Sequence, residues 1–390
     1  MNKNVWLLFA CQALMNAVMS GQTVMASLVG YHLSGTALNT LPMAIQMVSV
    51  MSASLLAGYA FPRFGRRGGF WLGCALMMCG SMTFASGVYT DNFVLYCCGA
   101  VPAGLGFGIS QHLRFAAAEV ADTHAKARAI SLVLAGGVLA AIVGPEMVKR
   151  TNALIPDYIF LATYLYLPVL PVICAILLKF VQVPPAQKKV GIPVPFRTIF
   201  ARPDFVTAVV ASLVGYGSMN LIMASTPLQM LLCGFGVAAS ADVIRAHSIA
   251  MFSPGFVTGR LIQKFGVHQM IMLGGALTLA CVAVNVFQPP LFTTFLVALS
   301  LLGIGWNFMF VGGTTLLTTA YSPQERVRVQ ATHDFIVFGS VAMTALTSGA
   351  VQATQGWDVL NLTVVPPVLI AFLVVGWHWM ARSRVAVPAE

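Results

Sequence analysis

Residues 58–67 read GYAFPRFGRR, from Gly58 to Arg67. The stretch closes one apolar run and opens the next, and it gathers Arg63, Arg66 and Arg67 around Gly65. An arginine at the centre of a bilayer costs about 3 kcal/mol or more. The stretch is therefore a turn at a membrane surface, with a span on either side. About 200 residues later the arrangement returns: Gly58-x4-Arg63-Phe64-Gly65 is answered by Gly259-x4-Lys264-Phe265-Gly266. Two more matches keep that offset. Gly104-Leu105-Gly106-Phe107 is answered by Gly303-Ile304-Gly305-Trp306, and Lys126-x-Arg128 by Arg326-x-Arg328. Three matches in order at one offset imply two halves that repeat one plan.

Composition sets the class. Of 390 residues, 58% are hydrophobic and 8% charged, and the mean hydropathy is +0.85. A soluble domain carries about 25% charged residues, so long stretches of this chain face lipid. At about 20 apolar residues per span, the pattern predicts twelve spans: 5–31, 38–61, 69–89, 93–117, 127–149, 157–181, 204–232, 240–263, 269–287, 291–320, 327–353 and 360–381. The net charge of +10 does not point to nucleic acid, because the cations sit at span ends. Trp6–Ser20 is apolar but lacks a small-residue cleavage site, so it reads as part of span 1 rather than a leader. The eight cysteines form no CxxC pair, which removes zinc ribbons and redox motifs.

Lysine and arginine orient the spans. With the N-terminus inside, the cytoplasmic set runs from Lys3 through Arg63, Arg66 and Arg67 to Arg382 and Arg384, and only Lys149, Arg150 and Arg245 fall outside. Both termini are expected in the cytoplasm. Residues 1–182 form the expected first six-helix half and 204–390 the second. The proline-rich, basic segment 183–203 joins them.

At this point the chain resembles the major facilitator superfamily (MFS). GYAFPRFGRR is similar to its signature between helices 2 and 3, with Pro62 in place of the usual acidic residue, so a weaker cytoplasmic charge lock is expected. The helix 4 arginine of many proton-coupled members would fall near Ala100 and is absent. Gly144-Pro145 resembles the helix 5 motif of exporters without its following glycines. The resemblance implies an all-α integral membrane fold of two pseudo-symmetric halves, alternating access, a substrate site near the midplane lined by helices 1, 4, 7 and 10, and a bacterial inner-membrane location.

Sulfur is patterned. Among 20 methionines, five pairs are spaced Met-x3-Met, where composition alone gives about one. Spacing of four puts both thioethers on one helix face. Span 1 carries Cys11, Met15 and Met19; span 2 carries Met47 and Met51; span 7 carries Met219 and Met223; span 8 carries His247 and Met251. Helical rise places the span 7 doublet roughly 13–20 Å, and the span 8 doublet roughly 10–17 Å, from the outer ends. Neutral thioethers with an imidazole suit a soft ion such as Cu(I). The Met-x3-Met and His-x3-Met pair resembles the CcoA-like copper importers (the CalT group). This implies copper as the transported substrate with no permanently bound cofactor, Met219, Met223, His247 and Met251 as ligands, Cys233 in redox handling, and supply of copper to cbb3-type cytochrome oxidase assembly. Packing filler is the competing reading of every methionine.

Charge inside a span is a functional candidate. Arg114, Glu119, Arg63, Arg66 and Arg67 are read as a cytoplasmic gate network, with His112 near it. His333 and Asp334 are read as a proton relay or a pin for their helix end, which makes protons the candidate coupling ion. Glu146 with Arg150 and Lys149 reads as an interfacial ion pair. Gln12, Gln46 and Asn307 are candidates to face the cavity. The alternative function is a carrier of a small organic solute, a riboflavin-like vitamin, metabolite or drug. Arg114-Phe115-Ala116-Ala117-Ala118 resembles a permease subgroup that includes riboflavin-type carriers, and Tyr166, Tyr216, Trp306 and Phe310 are candidate lining residues. A metal-binding sensor or assembly factor is a third class. No nucleophile–base arrangement suggests an enzyme. The expected partners are the lipid bilayer and the transported solute, with a monomer as the expected state.

Overall fold

The computed structural model describes residues 3–34, 41–152, 154–158, 160–182 and 195–385. Most of the joining segment expected at 183–203 lies outside them. Among the described residues there is no strand, and nine helices are long and apolar enough to cross a membrane. The chain divides into two compact units, Met1–Lys189 with Gln330–Ala342, and Val190–Val329 with Met343–Glu390.

The first unit holds α1 (Lys3–Ser34), α2 (Leu41–Tyr89), α3 (Phe93–Ser110), α4 (Leu113–Val120), α5 (Lys126–Thr151), α6 (Leu161–Tyr166) and α7 (Val169–Phe180). The second holds α8 (Phe196–Phe200), α9 (Pro203–Leu232), α10 (Val237–Phe252), α11 (Gly255–Phe265), α12 (Val267–Phe287), α13 (Phe292–Leu317), α14 (Arg326–Leu362) and α15 (Val365–Val385). Residues 330–342 of α14 belong to the first unit.

The expected spans correspond to these elements with local differences. Spans 2 and 3 are the two arms of α2, bent at Gly65 with φ 72°. Span 4 is α3 and α4, interrupted at Gln111-His112. Spans 6 and 8 are each broken at a proline, Pro168 and Pro254, which has no N–H to give to the helix ladder. The connection expected after 353 is instead helical and bends at Gly356, φ 86°. Both glycines that close the repeated turn motif, Gly65 and Gly266, have positive φ, a conformation only glycine adopts at little cost.

The second repeat also has a structural reason. In the first unit, α3 lies between the two arms of α2. A Cβ on Gly104 would stand 2.7 Å from the Ser49 side chain of the first arm, and one on Gly106 2.6 Å from the Met77 backbone of the second. In the second unit, a Cβ on Gly303 would meet the α10 backbone at His247 and Met251, and one on Gly305 the α12 backbone at Gly274. In each unit, the first glycine admits one neighbouring helix and the second admits the other. Polar seams form where the helices close. Gln46 donates to Gln22 at 2.8 Å, and Gln22 donates to Ser81 at 3.1 Å, tying α1 to both arms of α2.

In the second unit, Arg202 donates to both Glu325 oxygens at 2.7 and 3.0 Å and to the Ala320 carbonyl at 2.9 Å. Glu325 also accepts from the Ser322 amide and hydroxyl. The bidentate Arg202 contact, with the Ser322 donors, pulls the Glu325 carboxyl down to about 2, and the same pair raises Arg202.

Two outcomes are expected for stability. Gly106→Ala lowers stability by about 1–3 kcal/mol through overpacking against α2. Gly349→Ala, whose Cβ meets nothing within 4 Å, does not, and thermal unfolding in detergent compares them. Because the folded carboxyl of Glu325 titrates below its unfolded value, its contribution is complete above about pH 5 and is lost as pH falls. The melting-temperature gap between wild type and Glu325→Gln is therefore largest near neutral pH and mostly gone by about pH 2.

Candidate functional site

Three groupings hold the candidate residues. The first is the sulfur set. On α9, Met219 is buried and Met223 half-buried; on α10, His247 is fully buried and Met251 half-buried. The His247 Nδ1 lies 2.7 Å from the Leu299 carbonyl of α13, and its buried Nε2 has no hydrogen-bond partner. The Met251 carbonyl accepts from the Asn307 amide at 2.8 Å. Both α10 residues thus sit on the Gly303 face of α13. Cys233 lies just past the end of α9 and accepts from Gln229 at 3.5 Å.

The remaining sulfur candidates, Cys11, Met15, Met19, Met47 and Met51, belong to the first unit. Met15 and Met19 are buried, and Met47 and Met51 half-buried. Cys11 is engaged with α7: its thiol and that of Cys174 each reach the other's carbonyl, at 3.8 and 3.9 Å. Met51 packs toward Gly339 of α14. Among the described residues no three His, Cys, Asp or Glu side chains converge as a metal site. A copper ion here would depend on thioethers for most of its ligands.

The second grouping is aromatic. Trp306 and Phe310, one turn apart on α13, stack with centroids 5.1 Å apart and planes at 20°. Tyr216 of α9 stands edge-on to both, at 5.4 and 5.2 Å. Phe252 of α10 meets Trp306 at 5.6 Å. The Trp306 Nε1 is buried with no hydrogen-bond partner. Asn307 is held by Thr258 at 2.7 Å as well as by Met251. Three of the four aromatic candidates meet here. The fourth, Tyr166, is half exposed in the first unit. Phe252 joins unannounced; its one sequence signal is its place beside Met251.

The third grouping is a buried charge cluster in the first unit. Arg66 forms a bidentate pair with Glu119, donates to Gln330 at 2.7 Å, and lies over the Phe61 ring at 4.7 Å. Arg114 donates to the Gln111 carbonyl at 2.7 Å and to Asp334 Oδ1 at 2.5 Å. His333 Nδ1 lies 2.8 Å from the same oxygen. His112 Nε2 is 3.7 Å from Asp334 Oδ2. The structure therefore brings Arg66, Glu119, Arg114, His112, His333 and Asp334 together, where the sequence separated a gate network from a relay. Arg63 and Arg67 stand apart from it. Arg63 is exposed and donates to Tyr59, and Arg67 caps the Val181 carbonyl. Gln12 donates to Asn16 at 2.8 Å. Glu146 pairs with Arg150 at an exposed site.

No family model matches the chain. A riboflavin transporter, RfnT, from Brucella anthropi is 34% identical over 378 residues, which is 95% of this chain and 94% of that protein. An uncharacterized MFS-type transporter, YddS, from Bacillus subtilis is 28% identical, over 92% of this chain and 87% of its own length. Among solved structures, the MFS transporter FucP in its outward conformation superimposes with a TM-score of 0.79 at 13% identity, covering 96% of this chain and 98% of that one. An all-helical fold, end-to-end similarity to a relative above 30% identity, and full-length superposition on a solved transporter agree: the chain belongs to the major facilitator superfamily of multi-pass membrane transporters, and it is not an enzyme.

Proposed function

We propose that this protein carries a small, planar, aromatic-ringed organic solute of the riboflavin type across the membrane. The observation that carries the reading is the 34% identity, over 95% of the chain, to a protein named as a riboflavin transporter. The aromatic grouping supports it. A flavin ring is a flat π-system with polar edges. Trp306 and Phe310 offer a stacked pair, Tyr216 and Phe252 close its sides, and the Trp306 Nε1 and His247 Nε2 are buried polar atoms without partners. Buried polar atoms are rarely left unpaired, and a ring with polar edges supplies what they lack. Movement follows alternating access, with protons as the proposed coupling ion and import as the proposed direction.

Copper import remains a second reading because of His247. A metal-ligating histidine is usually held through its other nitrogen by a carbonyl or carboxylate, and the Leu299 carbonyl holds His247 in that way. Met219, Met223 and Met251 would complete the ligands, and supply to cbb3-type oxidase belongs to this reading. The full-length relative weighs against it.

The test is uptake by cells lacking their own riboflavin transport, carrying empty plasmid, wild type, Trp306→Phe or Trp306→Ala, each checked for membrane level. Wild type restores riboflavin uptake and Trp306→Phe keeps most of it. Trp306→Ala raises the half-saturating concentration about 2- to 10-fold, the value of one aromatic pair. Copper accumulation without riboflavin uptake would overturn the solute reading in favour of the metal.

A further inference from the structure

Within the charge cluster, one carboxylate oxygen is treated differently from its twin. Asp334 Oδ1 receives Arg114 at 2.5 Å and lies 2.8 Å from His333. Asp334 Oδ2 has no hydrogen bond. His112 Nε2 lies 3.7 Å from it, too far for a hydrogen bond. Both nitrogens of His112 are themselves without a hydrogen-bond partner. The two residues are at most 1% exposed. A bare carboxylate oxygen and a bare imidazole nitrogen thus face each other across a gap about 1 Å too wide to share a proton.

We propose that His112 and Asp334 form the proton-binding site that couples solute movement to proton movement. This rests on the carrier reading but not on the identity of the solute. The charged and titratable groups around the pair are Arg66 from α2, Arg114 and Glu119 from α4, and His333 from α14. With both histidines neutral, two arginines balance two carboxylates. A further proton leaves the cluster with net positive charge in a dry site, which is unfavourable. The proton therefore enters from water when the 330–342 segment of α14 and the α4 end stand apart. It is lost to water as they close and Arg114 takes up the ionised Asp334. Protonation of the carboxyl removes the ion pair with the Arg114 guanidinium and leaves it a weaker, uncharged acceptor, so loading the proton favours the parted arrangement. No bond other than the N–H or O–H to that proton forms or breaks.

Within the second unit, Thr344 of α14 accepts from Asn220 of α9 at 3.0 Å. One turn later Ser348 bonds Ser225 and the Leu221 carbonyl. Asn220 lies one turn along α9 from Tyr216 of the aromatic grouping. Helix α14 therefore carries Asp334 within the first unit and, within the second, is hydrogen-bonded to α9 beside the aromatic grouping. The proton is assigned to the His112 side of Asp334. His333, which the sequence offered with Asp334 as a proton relay or a pin for the helix end, bonds the oxygen already taken by Arg114 and serves to orient the carboxylate.

The experiment uses purified protein in proteoliposomes, comparing wild type, Asp334→Asn and His112→Gln. Riboflavin accumulation driven by an imposed pH gradient is measured beside riboflavin exchange at equal pH on both sides. The coupling site predicts that each variant loses gradient-driven accumulation by about tenfold or more, within the usual range of coupling free energies, while exchange persists. Accumulation equal to wild type in both variants overturns the proposal. So does joint loss of accumulation and exchange in protein that still melts at the wild-type temperature, since that pattern assigns the pair a purely structural role. Proton uptake by the solute-free protein, after a drop from about pH 8 to about pH 5, separates this proposal from the choice of solute. Asp334→Asn takes up about one proton fewer than wild type if the site binds protons, and the same number if it does not, whether or not riboflavin is the cargo.

Discussion

Water is absent from the middle of a bilayer, and every polar group placed there must find its partner within the protein. That constraint explains why the described spans are built from helices, why only 8% of the chain is charged, and why the buried ions of the first unit gather in one place. Arg66, Arg114, Glu119 and Asp334 are tolerable because each sits against an opposite charge. The buried polar atoms without a hydrogen-bond partner include both His112 nitrogens and Asp334 Oδ2 in the proposed proton pair, and His247 Nε2 and Trp306 Nε1 in the proposed solute site.

Close approach of helices is what lets short side chains meet this demand. Gly303 seats α10 against α13, where His247 reaches the Leu299 carbonyl and Met251 is held by Asn307. Gly104 and Gly106 do the corresponding work for α3 between the arms of α2. Packing and chemistry are thus the same feature viewed twice, because a side chain larger than hydrogen at these positions would separate the helices whose polar groups pair.

The methionines illustrate how a pattern can be real and still admit two explanations. The excess of four-residue spacing is a property of the sequence. A thioether, however, asks for no partner, so burial alone does not distinguish a ligand from filler. His247 is more telling, since an imidazole must account for both nitrogens, yet a metal and the polar edge of a ring would each satisfy the second. The sulfur resemblance to copper importers rests on four residues, whereas the likeness to a protein named as a riboflavin transporter runs over 95% of the chain.

Span positions, the internal repeat and the turns at Gly65 and Gly266 were legible in the linear chain, because matching a helix to lipid thickness and closing it with a glycine turn are local requirements. Tyr216, Trp306 and Phe310 were legible as candidates because residue type and span sufficed to nominate them. Partner choice was decided only in three dimensions. Arg114 and Asp334 lie 220 residues apart, Arg202 and Glu325 lie 123 apart, and Phe252 joins its cluster through the orientation of α10. No spacing rule links such pairs. The energy that selects them is the cost of leaving a charge or polar atom alone in a dry interior, and that cost acquires a value only once the helices have packed.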